Sequence, residues 1–237
     1  MILKRFDTDK GVYAFLEEGL EAAVHQHPAA EVLLVRSGTV TVRAGEQEYA
    51  DIKGCVLPPN IVHSVQGQNA YCEIWILEKN LASVEGQDLM PPTYSSGAIM
   101  ILSEEETAHY DDTLLEKFQS LPALTVVNDQ RVSACIKFIK ENLVETALNR
   151  AMLGAKVHLS PSRLSHLFKT QTGTTLQNYI IWERLKCAIS CSLNQGINLL
   201  NAAYQAGFYD AAHFSRAFQK MFGVNPSSAY NSSILQI

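Results

Sequence analysis

The apolar positions of this chain change their period part-way along it. From Ala23 to about Leu77 they fall in short runs and alternations: Val32-Leu33-Leu34-Val35, then Thr39 to Arg43, then Cys55-Val56-Leu57, then residues 71–77. Ser37-Gly38 and Gly45-Glu46 stand among them as hairpin-turn signals. Short strands punctuated in this way predict a small antiparallel β-sandwich or barrel. Residues 90–97, MPPTYSSG, are a breaker cluster and read as a loop leaving it. Ser103 with Glu106 three positions later is a capping box, which starts a short helix toward an exposed His109. Asp111 and Asp112 cap a further helix with Leu114, Leu115, Phe118 and Leu121 as its stripe. Packing on its own β domain and pairing with a second copy are both open to that stripe. Residues 122–129 read as a linker.

Beyond the linker the period is helical. Val132, Ile136, Ile139 and Leu143 make one buried stripe, and Asn149 caps the helix that follows. Residues 153–173 read LGAKVHLSPSRLSHLFKTQTG. Ser160 is the N-cap and Pro161 the first helical residue, where its missing N–H costs nothing. Leu164, Leu167 and Phe168 form a seam, while Ser162, Arg163, Ser165, His166 and Lys169 face outward. Residues 201–223, NAAYQAGFYDAAHFSRAFQKMFG, repeat the plan. Small Ala202, Ala203 and Ala206 let a helix approach a neighbour, Gly207-Phe208 breaks it, and Asp210 caps the next helix. Phe214, Phe218, Met221 and Phe222 make its buried side. Ala211, Ala212, His213, Ser215, Arg216 and Lys220 make the other. Aligned, LSHLFK at 164–169 falls on FSRAFQ at 214–219, and the units close on Gly173 and Gly223. A helix with one apolar seam and one small, polar, cationic face suits a DNA major groove.

Composition sharpens this picture. A chain of 237 residues, 47% apolar, can bury one large core or two modest ones, and its charge argues for two. Residues 1–128 hold 8 Lys and Arg against 19 Asp and Glu, whereas residues 129–237 hold 11 against 5, leaving the second part at +6. A basic part behind an acidic one fits a polyanion-binding domain joined to a sensing or assembly domain. The five cysteines form no CxxC pair and read as reduced thiols of a cytoplasmic protein. No stretch is long and apolar enough for a membrane span, and MILKRFDTDK is no signal peptide, so no membrane partner is expected.

Over roughly residues 129–230 the two units resemble the tandem DNA-binding domain of the AraC/XylS family of bacterial transcription regulators. Gly207-Phe208, the Phe214-Ser215-Arg216-Ala217-Phe218 run, Gly223 and Pro226 match the family's second half. Residues 179–193, with Arg184-Leu185 and Ala188, match its linker helix. Departures from its pattern are Arg150, Cys191-Ser192, Ala202 and Ala229. The resemblance implies an all-α domain of two helix-turn-helix units joined by a linker helix, both reading helices entering one face of double-stranded DNA. From the first helix Ser162, Ser165 and His166 would face base edges, with Arg163 and Lys169 on phosphates. From the second, Ala211, Ala212, Ser215 and Arg216 would face bases, with Lys220 on the same cationic side. Arg216 carries the most specificity, because arginine bonds guanine bidentately. Backbone amides near Ser160 and Asp210 would hold phosphates.

The first part holds a second motif. His25-Gln-His27 is followed by Glu31 and Gly38, and Gly54 by Pro58, Asn60 and His63. Residues two apart on a strand share a face, so His25 and His27 can converge, with Glu31 and His63 completing the set. Three imidazoles and a carboxylate suit Zn, Fe, Mn or Ni. The spacing resembles the two-part cupin signature, with Asn60 in place of a common Gly. In cupins attached to regulators the same residues also serve as structural polar groups or effector contacts, and both readings stand. The expectation is therefore a cupin-type sensor at residues 1–100, a helical dimerisation or linker segment at 101–128, and the DNA-binding domain at 129–237. Such a chain is a transcription regulator and not an enzyme. It would take a small-molecule or metal effector, form a homodimer and engage RNA polymerase. The rival is a metal-dependent cupin oxygenase or isomerase with an accessory helical domain.

Overall fold

The computed structural model describes residues 2–78, 98–110, 117, 127–145 and 148–227. The chain divides into two compact units, one made of residues 1–124 with those from 219 on, the other of residues 125–218. The expected loop at 90–97, the stripe from Leu114 to Leu121, and Ala229 lie outside the described residues.

The first unit is an antiparallel sheet of eight strands: β1 (Ile2–Asp7), β2 (Val12–Glu18), β3 (Glu21–His25), β4 (Ala30–Ala44), β5 (Gln47–Ile52), β6 (Gly54–Leu57), β7 (His63–Leu77) and β8 (Met100–Ile101). Its path is β1-β2-β7-β4-β6-β8, with β3 added to β7 and β5 to β4. The two long strands β4 and β7 pair with each other from Ala30↔Leu77 to Ala44↔His63. Strands β2 and β6 flank one end of that ribbon, and β3 and β5 flank the other. The Gly45-Glu46 turn joins β4 to β5.

Ser37-Gly38 is not a hairpin turn. Strand β4 runs through it, and the register slips on both sides of Ser37. Gly38 has φ +74°, and the carbonyls of Gln68 and Asn69 leave no room for a Cβ. Glycine here bends a strand and does not reverse the chain, which is the bulge's way of curving a sheet. Strands β1 and β2 were not expected from the pattern. Strand β1 is a partly exposed edge rich in charge, although Val12 to Phe15 on β2 is a fully buried run.

Inward positions alternate along the strands: Val12 and Ala14, Ala30, Val32 and Leu34, Trp75 and Leu77. Together with Val56, Met100, Leu102 and Tyr110 they form one core. Helix α1 (Glu104–His109) begins with the capping box of Ser103 and Glu106. Arg36 fastens it: the guanidinium donates to the carbonyls of Thr107 (3.1 Å) and Tyr110 (2.6 Å) and to Glu73 Oε2 (2.7 Å). Glu73 also accepts from Lys4 Nζ at 2.7 Å and from Trp75 Nε1 at 2.9 Å. Burial alone would raise the Glu73 carboxyl, but these donors hold it below the usual carboxylate range.

The second unit is helical: α2 (Gln130–Glu141), α3 (Arg150–Lys156), α4 (Pro161–Thr172), α5 (Leu176–Gln195) and α6 (Leu199–Gln205), followed by α7 (Ala211–Phe222). Asp129, Asn149, Ser160, Thr175 and Asn198 each cap the helix that follows through a side-chain oxygen. One core joins Val132, Cys135 and Ile139 of α2 to Leu153, Leu164, Phe168, Leu176 and Ile180. Cys135 takes a central place beside the expected stripe, while Ile136 and Leu143 are only partly buried. The departures from the family pattern fit locally. Arg150 is exposed at the first position of α3, Ala202 is fully buried, and the Ser192 hydroxyl donates to Ile197 O at 2.7 Å beyond the end of α5.

Replacing Arg36 by Met leaves two carbonyls and one carboxylate oxygen short of donors. Urea unfolding of the full chain is expected to show a loss of about 1–3 kcal/mol. An unchanged midpoint would mean the Arg36 network is ornamental.

Candidate DNA-reading helices and a candidate metal centre

Helices α4 and α7 are built alike. Ser160 Oγ accepts from Arg163 N at 3.3 Å, and Asp210 Oδ1 accepts from His213 N at 2.6 Å. Helix α4 ends on Gly173, with φ +72°, and α7 ends just before Gly223, also with φ +72°. Leu164 and Phe168 are fully buried on α4, and Phe214, Ala217 and Phe218 are buried on α7. Phe168 stacks edge-on against Tyr179 at 5.4 Å, while Phe214 meets Phe208 at 5.3 Å and Phe218 at 5.7 Å. Burial of these seams leaves the opposite faces in water.

Ser160, Ser162, Arg163, His166 and Lys169 are exposed around α4, as are Ala212, Ser215, Arg216 and Lys220 on α7, with Ala211 and Asp210 half-buried. Ser165 is half-buried and its hydroxyl donates to Pro161 O at 2.8 Å, so it offers a ligand only acceptor capacity. His213 leaves the outward face on which the helical pattern puts it. Its ring packs edge-on against Phe208 at 5.2 Å, and burial, then the charge of Arg184, lowers its pKa. The turn of the first unit holds His158 at φ +55°, a left-handed residue that no glycine announces.

In the β domain, His25, His27, Glu31 and His63 are all buried, and one ligand atom from each lies within 4.8 Å of the others. His25 of β3 sits directly across from His63, the first residue of β7. Glu31 is on β4. His27 lies in the β3–β4 connection, not on the strand, so strand alternation does not account for its convergence with His25. The loop before β7 is tied to that connection by Asn60 N donating to His27 O at 2.8 Å. Asn60 has φ +61°, a conformation Asn tolerates better than most residues, which explains Asn where the signature has Gly.

Each imidazole is oriented from behind. Nδ1 of His25 donates to Ala23 O (2.8 Å), of His27 to Ala29 O (2.9 Å), and of His63 to Ile61 O (3.1 Å). A carbonyl only accepts, so Nδ1 carries the proton and a neutral ring turns an Nε2 lone pair toward the cluster. His27 Nε2 lies 3.0 Å and His63 Nε2 3.5 Å from Glu31 Oε2. His63 Nε2 is fully buried with no hydrogen-bond partner. Burial, then the charge of His63, lowers His25 to about 4 and keeps it neutral. Burial also opposes ionisation of Glu31, yet the adjoining rings of His27 and His63 hold it below the usual carboxylate range. The same carboxylate overcomes burial at His63 and raises that ring. Lone pairs and a carboxylate facing one another call for a shared proton or a cation, and the donor set fits a divalent metal. The three carbonyls that aim the rings have no side-chain signature in the sequence.

Ser160→Ala and Asp210→Ala should each cost about 1 kcal/mol in urea unfolding, the usual worth of an N-cap. No loss at Asp210 would show that the short bond to His213 N does not hold the start of α7.

A family model described as a helix-turn-helix domain matches residues 153–231. The arabinose operon regulatory protein of Escherichia coli (strain K12) is 32% identical over 99 residues, which cover 42% of this chain and 34% of that protein. The chain thus aligns with about a third of the length of the arabinose regulators it matches. The probable transcriptional regulator LumQ of Photobacterium leiognathi is 27% identical over 227 residues, 86% of this chain and 90% of that protein. In fold, the chain is similar to ToxT from Vibrio cholerae, with a TM-score of 0.59 and 14% identity over 92% of this chain and 96% of that one. Residues 153–231 are therefore a helix-turn-helix domain similar to those of AraC/XylS-type regulators, it follows an antiparallel β domain, and the relatives named above are transcription regulators.

Proposed function

We propose that the chain is a sequence-specific DNA-binding transcription regulator whose β domain takes an effector that biases DNA binding or dimerisation. The observation that carries the first part is the matched pair α4 and α7: two capped helices, each with a buried seam and a polar, cationic face. A +6 charge on residues 129–237 supplies the sequence-independent attraction to phosphates. In this reading Arg216, exposed near the middle of α7, contacts a base edge, while Arg163, Lys169 and Lys220 contact backbone. Homodimer formation and contact with RNA polymerase rest on kinship alone. No helix among the described residues is long and apolar enough to cross a membrane. A regulator of a bacterial chromosome works in the cytoplasm, and that is the compartment proposed.

For the effector, one crystal structure of ToxT is of the protein bound to an unsaturated fatty acid. Here the β domain supports a divalent cation, held by His25, His27, Glu31 and His63. The orphaned, fully buried Nε2 of His63 is the observation in its favour. When bound, the ion supplies the positive charge that the cluster lacks. The chain's own residues orient three rings, exclude water and present Glu31 ionised. Against the rival enzyme, the relatives named above are regulators and not oxygenases or isomerases.

Arg216→Ala is expected to weaken binding to the fragment that the wild type selects by about 1–3 kcal/mol and to relax base preference at one position. Unchanged affinity and preference would remove Arg216 from the base-reading set. Stripped of metal and offered Zn, Fe, Mn or Ni separately, the protein is expected to take up one ion per chain in equilibrium dialysis. His63→Ala should bind the preferred ion at least about tenfold more weakly. Uptake no better than that of the variant would leave the four residues as a structural polar cluster.

A further inference from the structure

Helix α5 carries a charge that neither reading helix explains. Arg184 is 5% exposed, and no carboxylate stands among its hydrogen-bond partners. Its Nε donates to Leu143 O at 3.1 Å and its Nη2 to Glu145 O at 2.8 Å. Both carbonyls belong to the segment just after α2, in the first helix-turn-helix unit. The cation is thus held by backbone dipoles beyond the C-terminal end of a helix. On the other side stands Gly207, which opens the turn between α6 and α7 in the second unit. Gly207 has φ +89°, and a Cβ there would lie 2.5 Å from Leu143 O, 3.1 Å from Arg184 Nε and 3.2 Å from Val144 Cα. Three segments therefore meet at one joint around the buried Arg184 and Gly207: the stretch after the first unit's first helix, the linker helix, and the turn that launches the second reading helix.

Burying a guanidinium against carbonyls is a poor way to gain stability, since an apolar side chain of similar size fills such a space at less desolvation cost. What the arginine fork supplies is direction. Two donors in one rigid plane fix two carbonyls at once, which a lysine ammonium cannot do. The glycine lets the second unit's turn come into contact with the same carbonyl. A joint of this kind sets the angle and offset of one unit against the other.

We infer that Arg184, with Gly207 packed against it, is a positioning residue that holds the two helix-turn-helix units at the spacing needed to read one DNA site together. The inference rests on the DNA-binding reading above. Two linked modules gain affinity only if the link lets both engage at once. A rigid joint therefore converts two weak contacts into one strong contact, and it penalises any site with the wrong spacing.

The test uses the full chain and a DNA fragment selected by the wild-type protein from a random library, its two contacted segments mapped by footprinting. A second probe carries half a helical turn of DNA inserted between those segments. Wild-type protein is expected to lose about a hundredfold in affinity on the insertion. Arg184→Gln should bind the original fragment about tenfold more weakly, yet lose only about threefold on the insertion, because the units then bind nearly independently. Gly207→Ala, which disturbs the joint from its other side, should shift the ratio of the two affinities the same way. Should Arg184→Gln fail to fold by circular dichroism, Arg184→Lys, which keeps the charge and loses the fork, carries the same comparison. A merely structural residue would lower the melting temperature and leave the ratio alone. Variants that are folded and keep the wild-type spacing penalty would overturn the inference. A wild type that selects no fragment would instead overturn the DNA-binding reading on which it stands.

Discussion

Which side of a helix is left for a ligand is decided by what its other side must bury. On α4 the pair Leu164 and Phe168, and on α7 the trio Phe214, Ala217 and Phe218, are withdrawn from water. Each buried Phe or Leu contributes about 1.5–3 kcal/mol by removal from solvent, far more than any polar contact on the exposed face. The seams therefore set the rotation of both helices. Once they are set, Arg163, His166, Lys169, Ser215, Arg216 and Lys220 can only point outward. Where an outward-looking position finds an aromatic partner, as His213 does at Phe208, it drops out of the face.

The two domains handle buried polarity in different ways. Around Glu73 the β domain satisfies a carboxylate completely, with Lys4, Arg36 and Trp75 all donating to it. Around Glu31 it does the opposite. Three imidazoles spend their Nδ1 protons on carbonyls behind them and gather acceptors about an ionised carboxylate. A fold does not aim lone pairs at one another without a cation or proton to share, because each unsatisfied buried group costs about 1–3 kcal/mol. One cluster is finished by the protein alone, and the other leaves His63 Nε2 without a hydrogen-bond partner.

Most of this architecture is legible in the sequence where the signal is local. Helix caps are the clearest case, since Ser160, Asn149 and Asp210 sit where a short acceptor meets orphan amides. The helical seams follow from spacing, and so do the ligand types His25, His27, Glu31 and His63. The failures are tertiary. Ser37-Gly38 looks like a turn, but the carbonyls of Gln68 and Asn69, thirty residues on, make glycine necessary for a bulge within β4. Strand β1 is an edge whose pairing no internal pattern announces. His27 joins the cluster through a loop held by Asn60, not through strand alternation. The carbonyls that orient the rings, and those that Arg184 grips, are backbone groups common to every residue. The sequence names the donors and is silent on their acceptors.

The central claim is that this chain reads DNA through α4 and α7. The most direct measurement is retention of genomic fragments by the purified protein as a function of salt. The account predicts that a few fragments are retained selectively. Their binding should weaken with a log–log slope of about −4 to −6, as expected if five or six phosphates are neutralised by the exposed cations and helix N-termini of the two units. Retention without selectivity, or selective binding indifferent to salt, would contradict it.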